Sequence, residues 1–181
     1  NPDKPVGRKK VITSPPVKLL VQKYNTPVLQ PENLLNFSCQ LLVTSYDFFL
    51  VAAYAKILPK EILSIPRLGA ISVHPSLLPR YRGPSPIQTA ILNGDKETGV
   101  TLYLLDEKAD HGGTLSSVKY QVSGSDNYES VSRKLAELGG DLLVETLPRF
   151  VKGEIKPKPQ DESKATYTKK FAAQDGYVDL A

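Results

Sequence analysis

Residues 68–83 read LGAISVHPSLLPRYRG, and the predicted fold is built outward from this stretch. Its apolar part, LGAISVH (68–74), predicts a buried strand that ends at His74. The upstream run SYDFFLVAAY (45–54) is aromatic and β-branched throughout, which is typical of a strand covered on both faces of a parallel sheet. Pro59 opens a short helix between the two strands. Two buried strands separated by a helix indicate an α/β protein.

The rest of the chain continues the alternation of helices and strands. Pro and Gly mark the helix ends, Ser14 and Ser85 are predicted N-caps, and Asp126 with Glu129 predicts a capping box. The predicted elements are a loop at 1–13, helices at 14–25, 83–94 and 126–153, strands at 26–30, 98–105 and 114–122, and an extended tail from 154. We therefore predict an open, mostly parallel sheet flanked by helices.

Length and composition exclude several classes of protein. The 181 residues are about the size of one domain, and the single cysteine, Cys39, excludes an internal disulfide. No cluster of Cys and His has the spacing of a zinc site, so no metal is expected. The longest apolar run, FFLVAAYA (48–55), is too short to span a bilayer, so no membrane association is expected.

The net charge of +4 is concentrated at one end of the chain. Residues 1–23 contain a single acidic residue, Asp3, against six basic ones: Lys4, Arg8, Lys9, Lys10, Lys18 and Lys23. A basic loop containing Pro and Gly is suited to contact a phosphate backbone. A solvated terminus explains the same charges, and charge alone leaves both interpretations open.

Two polar side chains are predicted to meet at one edge of the sheet. His74 ends a strand, and Asp110 lies in the loop DEKADHGG (106–113) that follows a later strand. Ligands bind beyond the carboxyl ends of strands in such sheets, and histidine is the usual proton carrier near neutral pH. No GxSxG elbow, Walker A loop or GxGxxG pattern is present, and His111 is interpreted as a loop residue. The pair therefore favours direct attack of an outside amine on a bound acyl donor, although a structural histidine and a turn aspartate remain the alternative.

The segment HPSLLP (74–79) resembles the H-x-S-L-L-P signature of folate-dependent formyltransferases. The resemblance covers nearly the whole chain and includes VAAYAKILPKEIL, SLLPRYRGPSPIQ, GDKETGVTLYLLDEKADHG and LAELGGDLLVETL. These motifs, with the basic opening NPDKPVGRKK, are similar to the members that act on methionyl-tRNA. The resemblance implies a Rossmann-like formyltransferase fold, 10-formyltetrahydrofolate as co-substrate and the amino group of initiator methionyl-tRNA as acceptor.

The resemblance also implies roles for individual residues. His74 matches the family's catalytic histidine, acting in proton transfer, and Asp110 matches its carboxylate partner. Ser72 stands where the family has an asparagine that donates to the oxyanion, which predicts a slowed enzyme or a site completed by another group. The implied contacts are Ser76, Leu77, Leu78 and Pro79 in the folate loop; Val51, Ala52, Ala53, Tyr54, Ala55, Ile57 and Leu58 in the pterin pocket; and Arg8, Lys9 and Lys10 against tRNA.

Two departures from the family concern the extent of the chain. The family begins with strands that precede NPDKP and continues beyond GYVDLA into a β-barrel, so residues 1–154 are expected to be part of a catalytic domain and 155–181 a linker toward that barrel. Without the first strands, 48–54 would be an open sheet edge. Either the chain is part of a longer protein or a second copy supplies the pairing, as a homodimer.

Other acceptors and one other class of function also fit the sequence. The formyl group could pass to an amino sugar nucleotide or glycinamide ribonucleotide, whose transferases share the same loop. Ser72 and the missing strands instead favour a non-catalytic folate- or RNA-binding remnant. A bacterial cytoplasm is the expected compartment because no transit peptide is visible, with the mitochondrial matrix as the alternative.

Overall fold

The structure, a computed structural model, describes residues 2–31, 34, 45–54 and 58–177. By their internal contacts, the residues group into two compact units, Asn1–Ser45 and Tyr46–Ala181. Each unit is considered by itself below. Within the described ranges, no helix has the length and apolar character needed to cross a membrane.

The first unit begins with a β-hairpin where the sequence predicted a loop. Strands β1 (Lys4–Val6) and β2 (Val11–Thr13) pair in antiparallel fashion. The tight turn between them depends on the left-handed φ of 71° at Gly7, a conformation that glycine adopts without steric cost. The loop prediction was wrong because all six strand residues are exposed, so no apolar alternation marks them.

A helix follows the hairpin, as predicted, but it starts one residue later. Helix α1 spans Pro16–Gln22 with Pro15 rather than Ser14 as its N-cap. The amine of Lys18 donates to Asp3 at 2.9 Å and to Gln30 at 2.7 Å, which ties the helix to both flanking segments. Residues 26–30 are not a strand, because Pro27 lacks a ladder donor and no described strand pairs with them.

The second unit is an open four-stranded sheet flanked by helices, which confirms the α/β class. Its elements, in chain order, are β3 Phe49–Ala52, α2 Lys60–Leu63, β4 Ala70–His74, α3 Pro86–Leu92, β5 Glu97–Leu104, β6 Thr114–Gln121 and α4 Tyr128–Val151. The strands lie side by side in the order β3, β4, β5 and β6.

The sheet is mixed rather than mostly parallel over the described strands. Only β3 and β4 run parallel, and β4–β5 and β5–β6 are antiparallel. Residues 98–103 of β5 are all buried although both neighbours of β5 are antiparallel, so burial on both faces does not identify a parallel strand here. The prediction that the strand within 45–54 is covered on both faces was wrong, because β3 lies at one edge of the described sheet and alternates between half-buried and exposed residues. Pairing of that edge with a second copy stays a prediction.

Helix α4 packs against the sheet behind His74. Val131 and Leu135 on the helix contact Val100 on β5 and Ile87 on α3 in the main core cluster. Gly139 permits the close approach, since a Cβ there would lie 3.0 Å from a methyl group of Val73. Along the helix Val131, Leu135 and Leu142 are buried, whereas Tyr128 at its start is half exposed.

The cap of α4 differs from the predicted one by a single residue. Asn127 is the N-cap, and its side chain and that of Ser130 form the reciprocal capping box. Asp126 instead accepts hydrogen bonds from the Ser123 amide, the Ser130 hydroxyl and the Tyr120 hydroxyl. These donors, the Ser123 amide foremost, lower the pKa of Asp126 from 3.8 to about 2.

The lowered pKa of Asp126 predicts a loss of stability in acid. Because the folded pKa lies below the unfolded one, the contribution is complete above about pH 4 and is lost as the pH falls toward about 2. In urea unfolding across this range, Asp126→Asn is expected to flatten part of the decline, and Asp141→Asn on the exposed side of α4 is the matched control. An unchanged slope in Asp126→Asn would contradict the assignment.

After α4 the chain turns back onto the sheet. Residues 158–168, called the strap from here on, form isolated β-bridges between Lys158 and Thr114 and between Tyr167 and Arg82. A short 3₁₀ turn, Glu162–Lys164, lies within the strap. As far as residue 177, the tail has no α-helix and contains two 3₁₀ turns, the second at Ala173–Gly176, and it belongs to the same compact unit as His74. The division of the chain at residue 154 stays a prediction.

Candidate active site

The loops after β4 and β5 border one cavity of about 910 Å³. His74 ends β4, and Asp110 lies in the connection between β5 and β6. Both side chains line the cavity, together with Ser72 and Tyr103 on the adjoining strands. The structure therefore brings His74 and Asp110 together, as the sequence analysis predicted. Their catalytic roles remain predictions.

His74 is held in one tautomer. Its Nε2 lies 2.9 Å from the backbone carbonyl oxygen of Tyr81. Because a carbonyl can only accept, Nε2 carries the hydrogen, and Nδ1 of the neutral ring keeps a free lone pair. Nδ1 lies 3.7 Å from Asp110 Oδ2, and His74 is only 6% exposed. The imidazole is thus oriented to accept a proton at Nδ1, beside a carboxylate.

Asp110 is fixed by two short hydrogen bonds. Its Oδ1 accepts from the Tyr103 hydroxyl at 2.6 Å, and its Oδ2 accepts from the Gly83 amide at 2.6 Å. Burial, with the charge of Asp110 alongside, raises the pKa of Tyr103, so that its hydroxyl remains a donor. Each carboxylate oxygen of Asp110 therefore has a donor, and the two bonds hold the group in one orientation.

Ser72 belongs to the same network. It lies opposite Tyr103 in the β4–β5 pairing and lines the cavity. The Ser72 side chain lowers the pKa of Tyr103, against the effect of burial. Ser72 therefore adjoins the tyrosine whose hydroxyl donates to Asp110.

The cavity wall matches most of the predicted pocket residues. Val51, Ala52, Ala53, Tyr54 and Leu58 all line it, whereas Ala55 and Ile57 lie outside the described residues. Helix α4 contributes a part of the wall that was not predicted, which consists of Tyr128, Ser132, Leu135, Ala136, Gly139, Gly140 and Leu143. The volume lies in the range of pockets that bind small molecules.

The predicted folate loop is not at the cavity. None of Ser76, Leu77, Leu78 and Pro79 lines it. The Ser76 hydroxyl is fully buried and donates to the Arg80 carbonyl at 2.6 Å, and the Leu78 amide donates to the Thr101 hydroxyl at 3.1 Å. The Ser76 hydroxyl and the Leu78 amide therefore stabilise the loop that leads to Tyr81 and Gly83.

Three residues around the site were not predicted: Arg82, Gln160 and Glu162. Arg82 has no exposed surface, and its guanidinium donates to both carboxylate oxygens of Glu162, at 2.6 and 2.9 Å, and to Gln160. Glu162 is the largest cause of the raised pKa of Arg82, and Arg82 lowers that of Glu162. An arginine in a proline-rich basic loop is normally exposed to solvent, so nothing in the sequence indicated that Arg82 is buried.

His111 is a loop residue, as interpreted from the sequence. Its Nδ1 lies 2.6 Å from Asp106 Oδ2, and its Nε2 lies 3.6 Å from Glu162 Oε1. Both nitrogens therefore face carboxylates of the loop and the strap. His111 does not line the cavity.

The predicted RNA-contacting residues lie in the first unit, at the tip of its hairpin. Arg8, Lys9 and Lys10 occupy the turn between β1 and β2, and all three are exposed. None of them forms an ion pair with a residue in the described part of the chain. Three uncompensated cations on one turn are available to phosphate groups.

The chain matches a known protein family and is similar to known proteins. The formyl transferase family matches residues 1–147. Methionyl-tRNA formyltransferase of Staphylococcus aureus (strain JH1) is 44% identical over 176 residues, which cover 96% of this chain and 57% of that protein. The chain thus spans 57% of the length of this curated relative.

Solved structures share the fold. Phosphoribosylglycinamide formyltransferase from Bacillus halodurans superimposes with a TM-score of 0.69 at 25% identity, over 76% of this chain and 77% of that one. HypX from Aquifex aeolicus in complex with tetrahydrofolic acid gives a TM-score of 0.68 at 24% identity, over 79% of this chain and 24% of that one. The second likeness shows the fold alone.

Proposed function

The chain belongs to the formyl transferase family, and on that premise we propose that it passes the formyl group of 10-formyltetrahydrofolate to the amino group of methionine on initiator tRNA. One observation carries the proposal: His74 Nδ1 lies 3.7 Å from Asp110 Oδ2 in a cavity of about 910 Å³. Methionyl-tRNA is the acceptor in the name of the Staphylococcus aureus relative, which supports it as the acceptor here. We propose a cytoplasmic location for the reaction.

The residues of the chain would bind the folate and move the proton. Val51, Leu58 and the face of α4 would hold the folate rings, and the folate supplies the formyl group. As the amine attacks the formyl carbon, Nδ1 of His74 takes the proton that the amine loses. His74 then gives this proton to the folate nitrogen whose bond to the formyl carbon breaks. Asp110 stabilises the imidazolium between the two transfers.

Ser72 is the residue we propose for the formyl oxygen. It is the cavity-lining hydroxyl on β4, two residues before His74. Its side chain is short and carries a single hydroxyl, so a serine here would stabilise the developing oxyanion less than a longer side chain with an amide group.

Ser72→Asn is therefore expected to raise the transfer rate about tenfold, since one hydrogen bond to a charged group is worth about 1.5 kcal/mol. Steady-state kinetics of both chains at saturating folate would measure the gain. Ser116→Asn, on β6 and absent from the cavity wall, is the control substitution of the same size. Equal rates for Ser72→Asn and the unmodified chain would mean that another group already completes the oxyanion site.

Formyl transfer by the 181-residue chain tests the function directly. 10-formyltetrahydrofolate would be supplied with methionyl-tRNA, an amino sugar nucleotide or glycinamide ribonucleotide as acceptor. Transfer to methionyl-tRNA alone is the expected result. Transfer to another acceptor would overturn the proposed substrate, and a folded chain that binds folate but formylates none would be a non-catalytic remnant.

The basic hairpin allows a second test of methionyl-tRNA as the acceptor. Arg8, Lys9 and Lys10 are expected to bind tRNA phosphates, so affinity should fall steeply as salt is raised. Arg8→Ala should reduce the slope of log affinity against log salt by about one. Lys134→Ala is the matched control, because Lys134 is already paired with Glu137. A slope unaffected by Arg8→Ala would argue against the hairpin as the RNA contact.

A further inference from the structure

The strap holds the loop between β4 and α3 through one buried side chain. The guanidinium of Arg82 donates to both carboxylate oxygens of Glu162 and, through Nε and Nη2, to Gln160 Oε1 at 3.1 and 2.8 Å. Its backbone is held as well, since the Arg82 amide donates to the Thr166 carbonyl at 2.8 Å and the Thr168 amide donates to the Arg82 carbonyl at 2.7 Å. A buried cation with this many partners has one favourable position.

The two neighbours of Arg82 contact the two residues of the proposed proton relay. The Tyr81 carbonyl accepts from His74 Nε2, and the Gly83 amide donates to Asp110 Oδ2. A displacement of Arg82 would move both contacts together, because the three residues are consecutive.

Gln160 connects this loop to the other side of the site. Its Nε2 donates to the Asp110 carbonyl at 2.9 Å and to the Gly112 carbonyl at 2.8 Å, while its Oε1 accepts from Arg82. One amide group thus spans from the loop after β4 to the loop after β5. These two loops carry opposite halves of the relay.

We infer that Gln160 is a positioning residue for formyl transfer, which sets the separation between His74 and Asp110 by tying the two loops to each other through Arg82. The inference rests on the proposed function, because it assigns Gln160 to that reaction. Gln160 does not line the cavity, so it would act only through the residues that it holds.

Two substitutions at this position separate positioning from simple anchoring. Gln160→Ala removes all the contacts of the amide. Gln160→Glu keeps an acceptor for the buried guanidinium of Arg82 but cannot donate to the carbonyls of Asp110 and Gly112. A role limited to anchoring Arg82 would survive in Gln160→Glu, whereas the inferred role would not. Gln121→Ala is the matched control, since Gln121 is exposed and donates only to Glu97.

Two readouts on the full chain decide the inference. Both Gln160 variants are expected to lower kcat for formyl transfer about 10- to 100-fold with each KM within about twofold, as expected for a misplaced relay. The chain has only two histidines, so ¹⁵N spectra resolve the ring of His74. At a pH where the ring is neutral, the Nδ1 and Nε2 signals should lie far apart in the unmodified chain and draw together in both variants as tautomer exchange sets in.

Normal transfer by Gln160→Glu, or His74 signals unchanged in both variants, would overturn the inference. Urea unfolding would show whether either variant loses its fold, and Gln160→Glu is expected to keep more stability than Gln160→Ala. Should the unmodified chain transfer no formyl group, the proposed function fails, and the His74 spectra alone decide whether Gln160 positions the ring.

Discussion

Replacement of His74 by alanine is expected to lower the rate of formyl transfer about 10²- to 10⁴-fold, the usual contribution of a general acid–base. The structure gives the reason: Nε2 is committed to the Tyr81 carbonyl, so Nδ1 is the position at which the ring can exchange a proton. Single-turnover kinetics with bound folate would measure the loss in the chemical step itself.

A second substitution separates the loss of the proton carrier from damage to the loop. His74→Gln retains an amide hydrogen for the Tyr81 carbonyl but has no group that takes up a proton. We expect it to lose as much activity as His74→Ala. Added imidazole should restore part of the rate of His74→Ala only. Near-normal transfer by either variant, with an intact urea unfolding transition, would remove His74 from the mechanism.

Asp110→Asn is expected to reduce transfer about 10²- to 10³-fold. Opposite charges about 4 Å apart interact by about 4 kcal/mol at an effective dielectric constant of 20, so loss of the carboxylate removes up to that much stabilisation of the imidazolium. An asparagine also has one acceptor oxygen for two donors, the Tyr103 hydroxyl and the Gly83 amide. The NH₂ group of the asparagine would face one of those donors, and the donor left without an acceptor would cost about 1–3 kcal/mol of stability.

The kinetic loss in Asp110→Asn should appear in kcat and leave folate binding within a few-fold, since the apolar wall remains in place. Asp141→Asn on the exposed side of α4 is the matched control and should behave as the unmodified chain does. A full rate in Asp110→Asn would mean that the carboxylate supports only the loop. In that case the position of the charge would not matter either, so Asp110→Glu, which keeps the charge but moves it, would also be active.

Sequence patterns predicted correctly those elements whose ends are set by residues within or next to the element itself. Helix α3 begins at Pro86 and ends before Gly94, because proline presets the first helical φ and glycine takes the left-handed φ of 65°. Within LGAISVH, Ala70–His74 form a strand, because residues on both of its faces are buried or half-buried.

The meeting of His74 and Asp110 was predicted from strand ends in a mostly parallel sheet, but β4 and β5 are antiparallel, so their carboxyl ends lie at opposite ends of the pair. The loop after β5 returns Asp110 toward His74, where the Tyr103 hydroxyl and the Gly83 amide hold its carboxylate.

The parts that were missed depend on distant contacts. Hairpin β1–β2 has no buried residue, so its strands carry no periodic signal. Strand directions follow from connections that a burial pattern does not encode. Arg82 is buried by partners in the strap, and no local rule predicts a buried arginine in a basic loop. The role of Tyr103 as donor to Asp110 likewise appears only once β5 lies beside β4.

The partners of Arg82 lie 78 to 86 positions further along the chain. At a translation rate of about 5–20 residues per second, a nascent chain spends on the order of ten seconds with this guanidinium exposed before the strap is synthesised. Such long-range closure is also among the slower steps of folding. The loop beneath His74 therefore reaches its final shape late, so a ribosome-bound chain would present a folded sheet before it presents a competent site.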